Sequence, residues 1–337
     1  MEQGKKGVTI ISSGSAVANQ VLDNHDLSKI VDTSDEWIKT RTGIRKRHIA
    51  NVHSLSDLGS EAALKAISNA GLTPPDIDMI ILATSTPDDL FGSASQIQGS
   101  IGATKAVAFD LTAACSGFVF ALITASQFIR NGVYENIVVI GADCLSRWVD
   151  WDDRTTCVLF GDGAGAVVCQ ASDKFDRLLG FEMCSNGKLN NALNLAYQGE
   201  IKNIGHNKQV TQGKFGKITM NGREVYRFAV NKVPEVIEKA LFRADLTTEK
   251  IDWLILHQAN QRIIEAVAER LNIPSWKVIA NLSEYGNTSA ASIPLALDEA
   301  VSHGKIRNGD TIVTSGFGAG LTWGSAIFKW GIYSDTE

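Results

Sequence analysis

The chain has 337 residues, 44% of them apolar and 20% charged, with a formal net charge of −5, which suits two domains or one large duplicated body with a sizeable core. The acidic balance gives no support for nucleic-acid binding, and no apolar run reaches the length of a membrane span. Five scattered cysteines (Cys115, Cys144, Cys157, Cys169 and Cys184) include no CxxC pair, which argues against a disulfide framework or a zinc site and for a reducing compartment.

In chain order, Met1–Gly7 carries neither secretory nor transit character and leads into the strand-like Val8-Thr-Ile-Ile-Ser. Residues 65–83 read as the end of an amphipathic helix, a turn at Thr73-Pro-Pro-Asp and a buried strand. Ala106–Leu122 reads as a short strand, a tight turn of small residues and a helix that opens at Cys115. Downstream, Phe118, Leu122, Ala125 and Ile129 keep a helical period. A thiol at a helix N-terminus meets unpaired N–H groups and the positive end of the dipole, an environment that favours thiolate. An ordinary buried cysteine fits this stretch equally well.

Val138-Val-Ile-Gly-Ala-Asp is a strand followed by a loop, and residues 184–222, rich in Asn, Gly, Lys and Gln, suit a surface excursion or a lid. Residues 239–257 then repeat residues 65–83 without a gap at an offset of 174, with nine of 19 positions identical. Gly132 and Gly304, and Cys115 and Asn287, are each 172 apart, so the halves stay in near register. The chain therefore reads as two copies of one α/β unit, residues 1–175 and 176–337. His257 ends the second copy's strand where Ala83 ends the first. Asn287 follows in Glu284-Tyr-Gly-Asn-Thr-Ser-Ala-Ala-Ser-Ile-Pro, and Ser315-Gly-Phe-Gly-Ala-Gly-Leu-Thr-Trp-Gly324 offers glycines that expose backbone N–H groups.

Cys115, His257 and Asn287 in these flanks, with Val31–Arg45 upstream, closely resemble the β-ketoacyl-acyl-carrier-protein synthase III family of the thiolase superfamily. The resemblance runs nearly end to end. It implies a five-layered αβαβα body with an internal pseudo-twofold axis. It also implies a decarboxylative condensation of acetyl-CoA with malonyl-acyl-carrier protein, giving acetoacetyl-acyl-carrier protein, CoA and CO2, with no metal or redox cofactor. Cys115 would be the nucleophile, His257 and Asn287 the donors to the malonyl enolate, and the Cys115 and Ala319 N–H groups the second oxyanion site. Trp37, Arg41 and Arg154 match contacts to the adenine end of CoA; Asn221, Gly222 and Tyr226 match contacts to its pantetheine arm. Gln258, Ala259, Asn260, Gln261 and Arg262 match a carrier-protein docking segment, and Arg227 stands beside the pantetheine group. Phe91 matches a residue that reaches the partner's acyl pocket in a homodimer. No membrane partner is implied, and a cytoplasmic or plastid-stromal location fits.

Ala319 replaces a glycine that many members carry, which leaves its N–H but less backbone freedom. Glu269 beside Arg270 makes the docking helix less basic than in some members. A degradative thiolase would need a second cysteine in the last loop, and elongating synthases pair the cysteine with two histidines. A type III polyketide synthase usually carries Gly-Phe-Gly-Pro-Gly where this chain has Gly-Phe-Gly-Ala-Gly. A non-catalytic acyl-CoA-binding protein on the same fold is the reading from a different class.

Overall fold

The computed structural model describes residues 6–332. Gly7–Val17 (β1), Met79–Ala83 (β2), Val107–Leu111 (β3), Asn136–Cys144 (β4) and Asp162–Ser172 (β5) form one mixed sheet in the spatial order β1-β5-β4-β2-β3. Leu178–Ser185 (β6), Trp253–Leu256 (β7), Val278–Ile279 (β8), Thr311–Gly318 (β9) and Thr322–Lys329 (β10) form the second, in the order β6-β10-β9-β7-β8. In both sheets the first three strands alternate in direction and the last three run parallel. The two sheets therefore have one topology, strand for strand.

Seven helices of eight residues or more among the described residues position the rest: Asp35–Thr42 (α1), Leu55–Asn69 (α2), Ala94–Ile101 (α3), Gly117–Arg130 (α4), Gly222–Arg243 (α5), Gln261–Arg270 (α6) and Ser292–Ser302 (α7). Helices α2 and α3 cover the outer face of the first sheet, and α5 with α6 covers that of the second. Helices α4 and α7 lie between the sheets and touch both. The strands alternate their side chains between these layers, which explains why they read as continuous apolar runs. Ile80, Leu82, Val138 and Ile140 face the outer helices, while Met79, Ile81, Ile137 and Val139 join Phe118, Leu122 and Ile293 in the central layer. Leu254, Leu256 and Val313 pack under α5 and α6.

The repeat is a repeat of structure. Helices α2 and α5 end 174 residues apart, and Gly71 and Asp245, just past them, both adopt positive φ (70° and 53°). Asp78 and Asp252, identical in the two copies, do the same work. Each takes a backbone N–H at the start of the neighbouring strand: Asn136 N–H at 2.9 Å in one half, Thr311 N–H at 2.8 Å in the other. The alignment at Cys115 does not hold. Its turn, Ala114–Ser116, corresponds to Ser289–Ala291, an offset of 175 that pairs Cys115 with Ala290 rather than with Asn287. The 172 shared with Gly132 and Gly304 arises because α7 is three residues shorter than α4.

The excursion after β6 is a hairpin, Tyr197–Gly205 paired with Lys208–Phe215, exposed along both strands. Its two-residue loop, His206-Asn207, has φ of 41° and 59°, as a turn matched to strand twist requires.

Candidate active site

Cys115 sits in a 3-10 turn, Ala114–Ser116, that leads directly into α4. The small residue before it matters: Ala114 adopts φ +48°, a left-handed conformation hostile to bulky side chains. The end of β9 presses against this turn, and a Cβ on Gly318 would lie 2.6 Å from the Cys115 nitrogen. Only glycine lets that strand approach so closely.

The matching turn in the second half, Ser289–Ala291 with Ser292 beginning α7, touches every catalytic candidate. The Ser289 hydroxyl donates to Cys115 Sγ at 3.3 Å. The Ser289 N–H donates to Asn287 Oδ1 at 2.9 Å, and Ser292 Oγ lies 2.7 Å from His257 Nδ1. Because a backbone N–H claims Oδ1, the Asn287 amide orientation is fixed, and among the described residues no acceptor takes its Nδ2. Ser292 Oγ also accepts the Gln258 N–H at 3.3 Å. Among the described residues its own proton has no other acceptor than Nδ1, which puts the ring's N–H on Nε2, where no described residue accepts it.

Two further contacts hold the residues in place. The His257 N–H, just past β7, donates to the Ser315 carbonyl, and the ring stands edge-on to Phe317 with centroids 5.3 Å apart. Asn287 is clamped by Leu159 and Gly161: its N–H donates to the Leu159 carbonyl at 2.8 Å, and its carbonyl accepts the Gly161 N–H at 3.0 Å.

Burial sets the resting protonation. Desolvation pushes the Cys115 thiol up to about 12; the Ser289 hydrogen bond opposes this and the Asp143 charge adds to it. Burial of the charge thus opposes the thiolate that the helix N-terminus favours. Desolvation also pulls His257 down to about 3, so the imidazole is neutral. Asp143, fully buried at the end of β4, accepts Ser85 N–H, the Thr84 and Thr86 hydroxyls and, across the central layer, Ala290 N–H at 3.2 Å.

A cavity of about 1030 Å3 opens beside Cys115, Ser289 and Ala319, walled by Leu90, Leu145, Trp148, Phe160 and the base of the exposed hairpin. His257 and Asn287 are not on that wall. Phe91 is also absent from it; at 97% exposure it points to solvent.

The CoA candidates form a second group. The Arg41 and Arg154 guanidiniums stand 5.8 and 5.3 Å from the Trp37 ring centroid, and Arg154 donates to the Asp32 carbonyl rather than pairing with its own acidic run. Asn260, in the candidate docking segment, donates to the Arg41 carbonyl at 3.0 Å and so joins that segment to this group. Arg262 lies over Tyr226 at 5.5 Å, while Glu265 is taken by Gln261. Asn221 caps α5 by accepting the Glu224 N–H, with Gly222 as the first helical residue. Ala259 is half-buried and Arg227 is exposed. Gln258 is corrected: it is buried and its amide is spent on Leu256 O and Asn281 N–H, so it braces the β7 end and presents nothing to a carrier protein.

The sequence reading missed Ser289, Ser292 and Asp143. The two serines lay in plain sight beside Asn287, three apart at a helix start; no local signal marked Asp143. Among the described residues, no group of three or more His, Cys, Asp or Glu side chains could hold a metal ion. No helix among them is long and apolar enough to cross a membrane.

A family model described as 3-oxoacyl-[acyl-carrier-protein (ACP)] synthase III matches residues 109–187, and the model of that family's C terminal matches residues 241–330. The β-ketoacyl-[acyl-carrier-protein] synthase III of Microcystis aeruginosa is 66% identical over 325 residues, covering 96% of this chain and 98% of the relative. That of a Nostoc species is 67% identical over 326 residues, with the same shares covered. Among solved structures, 3-oxoacyl-[acyl-carrier-protein] synthase III from Aquifex aeolicus superposes with a TM-score of 0.89 at 46% identity, covering 96% of this chain and 100% of that one. The priming β-ketosynthase of the R1128 polyketide pathway reaches the same TM-score at 30% identity and covers 97% of each chain. This chain belongs to the β-ketoacyl-[acyl-carrier-protein] synthase III family.

Proposed function

We propose that this protein condenses acetyl-CoA with malonyl-acyl-carrier protein to give acetoacetyl-acyl-carrier protein, CoA and CO2. The observation that carries the reading is the Ser289–Ser292 turn, which hydrogen-bonds Cys115, Asn287 and His257 at once. In the first half-reaction Cys115 Sγ bonds to the acetyl carbon, the carbon–sulfur bond to CoA breaks, and the thiol proton leaves on CoA. The Cys115 and Ala319 N–H groups receive the carbonyl oxygen as it becomes negative.

In the second half-reaction the malonyl carbon–carbon bond breaks to release CO2. His257 Nε2–H and Asn287 Nδ2–H donate to the enolate oxygen left behind. A neutral histidine is suited to this, since it donates without surrendering its proton. The enolate carbon then attacks the acetyl carbon, the acetyl carbon–Sγ bond breaks, and Cys115 leaves as a thiolate that takes one proton from solvent to restore the resting thiol. No step needs a redox group or a metal.

The adenine end of CoA rests at Trp37, Arg41 and Arg154, and its arm passes Asn221, Gly222 and Tyr226. Ala259, Asn260, Gln261, Arg262 and Arg227 face the carrier protein. The near-complete exposure of Phe91 supports a homodimer in which it enters the partner's cavity. We read the chain as two halves, residues 1–175 and 176–337, in a cytoplasmic or stromal enzyme. Incubation with acetyl-CoA tests the central claim: intact mass should rise by one acetyl group, and Cys115→Ser should abolish the adduct. An unmodified wild-type protein that still binds acetyl-CoA would make it a binder instead.

A further inference from the structure

Arg47 is the largest of the fully buried side chains and has no carboxylate partner among the described residues. Its hydrogen bonds go to neutral oxygens: Nη1 to the Leu22 carbonyl at 3.1 Å and to Asn24 Oδ1 at 3.0 Å, Nη2 to the Val158 carbonyl at 2.8 Å. Nε has no partner. Burial lowers the guanidinium to about 10 against the opposing charge of Asp23, which lies near but is not hydrogen-bonded to it, so it stays charged at neutral pH. Burying an unpaired cation is costly, and a site serving only packing is commonly as stable with an apolar side chain.

What Arg47 holds is the seat of Asn287. Val158 adjoins Leu159, whose carbonyl accepts the Asn287 N–H. On the other side, Cβ atoms added at Gly161 and Gly286 would come within 3.1 and 3.2 Å of Arg47 Cβ. The neighbours of Arg47 grip the same loop residue by residue. Arg45 N–H donates to the Ser283 carbonyl, Lys46 pairs with Glu284 at 2.7 Å, and His48 stacks on Tyr285 at 5.4 Å. Arg47 is therefore a pin between the 158–161 segment and the 283–287 loop. Asn24 is held independently of this pin, donating to Asp35 Oδ1 and to the Ile44 carbonyl, both at 2.8 Å, so α1 with Trp37 and Arg41 does not depend on Arg47.

We infer that Arg47 is a positioning residue for Asn287, required for the malonyl half-reaction and dispensable for acetyl transfer to Cys115. The inference rests on the enolate-donor reading of Asn287. A lysine keeps the charge and the stem, but one ammonium cannot reproduce the planar fork across Leu22, Asn24 and Val158.

Radiolabelled acetyl transfer from acetyl-CoA and CO2 release from malonyl-carrier protein should be measured separately on Arg47→Lys. The expected result is acetyl loading within about twofold of wild type and decarboxylation slowed about 10- to 100-fold, as misplacement of a donor by about 1 Å produces. Gly286→Ala perturbs the same seat independently: φ there is +67°, and the new Cβ would meet the Leu159 carbonyl at 2.9 Å. It should give the same split, and it carries the test if Arg47→Lys does not fold. Equal losses in both half-reactions, or no loss of decarboxylation, would overturn the inference. Asn287→Ala separates the two levels. If it decarboxylates at the wild-type rate, the enolate-donor reading falls and takes the inference with it. If it is impaired while folded Arg47→Lys is not, only Arg47 loses its role.

Discussion

Ser289→Ala removes the hydroxyl hydrogen-bonded to Cys115 Sγ while leaving the backbone that orients Asn287. The substitution is tolerable there: Ser289 adopts φ +51°, and its counterpart in the other half, Ala114, already holds φ +48° as an alanine. With the thiol pushed up to about 12, wild-type Cys115 is almost wholly protonated at neutral pH. Its alkylation by iodoacetamide should therefore climb about tenfold per pH unit from 7 to 10 without levelling off. A hydrogen bond to a charged group contributes about 1.5–3 kcal/mol, so losing it should lower the thiolate population by a factor of about 10 to 150. The Ser289→Ala profile should run parallel to wild type and lower by that factor. Intact mass against pH provides the assay, with Cys115→Ser as the blank for the other four thiols. A plateau below pH 9 in wild type, or superimposed profiles, would refute the reasoning.

Three more outcomes can be measured. His257 is neutral when folded, at about 3 against an ordinary 6.5, so between those values the unfolded chain binds the extra proton. Its contribution to stability is whole above pH 6.5 and is lost as pH falls, by about 3 kcal/mol at pH 4; urea midpoints at pH 7 and 4 should diverge less in His257→Gln, and equal divergence would remove the effect. Gly318→Ala forces a Cβ against the Cys115 backbone, so acetyl loading should collapse with about 1–3 kcal/mol of destabilisation, and loading at the wild-type rate would contradict the close approach. Arg262→Glu should raise KM for malonyl-carrier protein, weaken the salt dependence of that step, and leave acetyl-CoA loading nearly unchanged; parallel losses would instead assign Arg262 to its stacking over Tyr226.

The duplicated fold was legible because its most regular portion has no insertions. From Lys65 to Ala83 and from Lys239 to His257 the helix, turn and strand coincide, and both aspartates at the strand entrance are kept for the bond they accept. Beyond that, loop lengths drift, and an equal offset at Cys115 and Asn287 meant nothing structural. Strands β2 and β7 are interior but lie one in from the edge, because the antiparallel pairs extend each sheet on the other side and leave β4 and β9 at the centre. The three catalytic candidates stood out by their flanks. Their protonation did not, since a helix N-terminus is visible in sequence and depth of burial is not. Arg47 stands in a basic run, Arg45-Lys-Arg, and only the tertiary structure separates the buried arginine from the half-buried Lys46 and the exposed Arg45. The hairpin at 197–215 gave no strand signal because both its strands stay exposed and it meets the body at its base alone, around Tyr197 and Phe215.

The central helix layer has a consequence for how the chain can be assembled. Phe118, Val119 and Leu122 of α4 and Ile293, Ala296 and Leu297 of α7 belong to one cluster with strands from both sheets. Neither sheet has a finished inner surface of its own. A gene split between β5 and β6 would yield two polypeptides that each display the bare side of a sheet and of a long apolar helix, the kind of surface that aggregates in isolation. Such fragments should become soluble only when made together, each serving as the other's missing core.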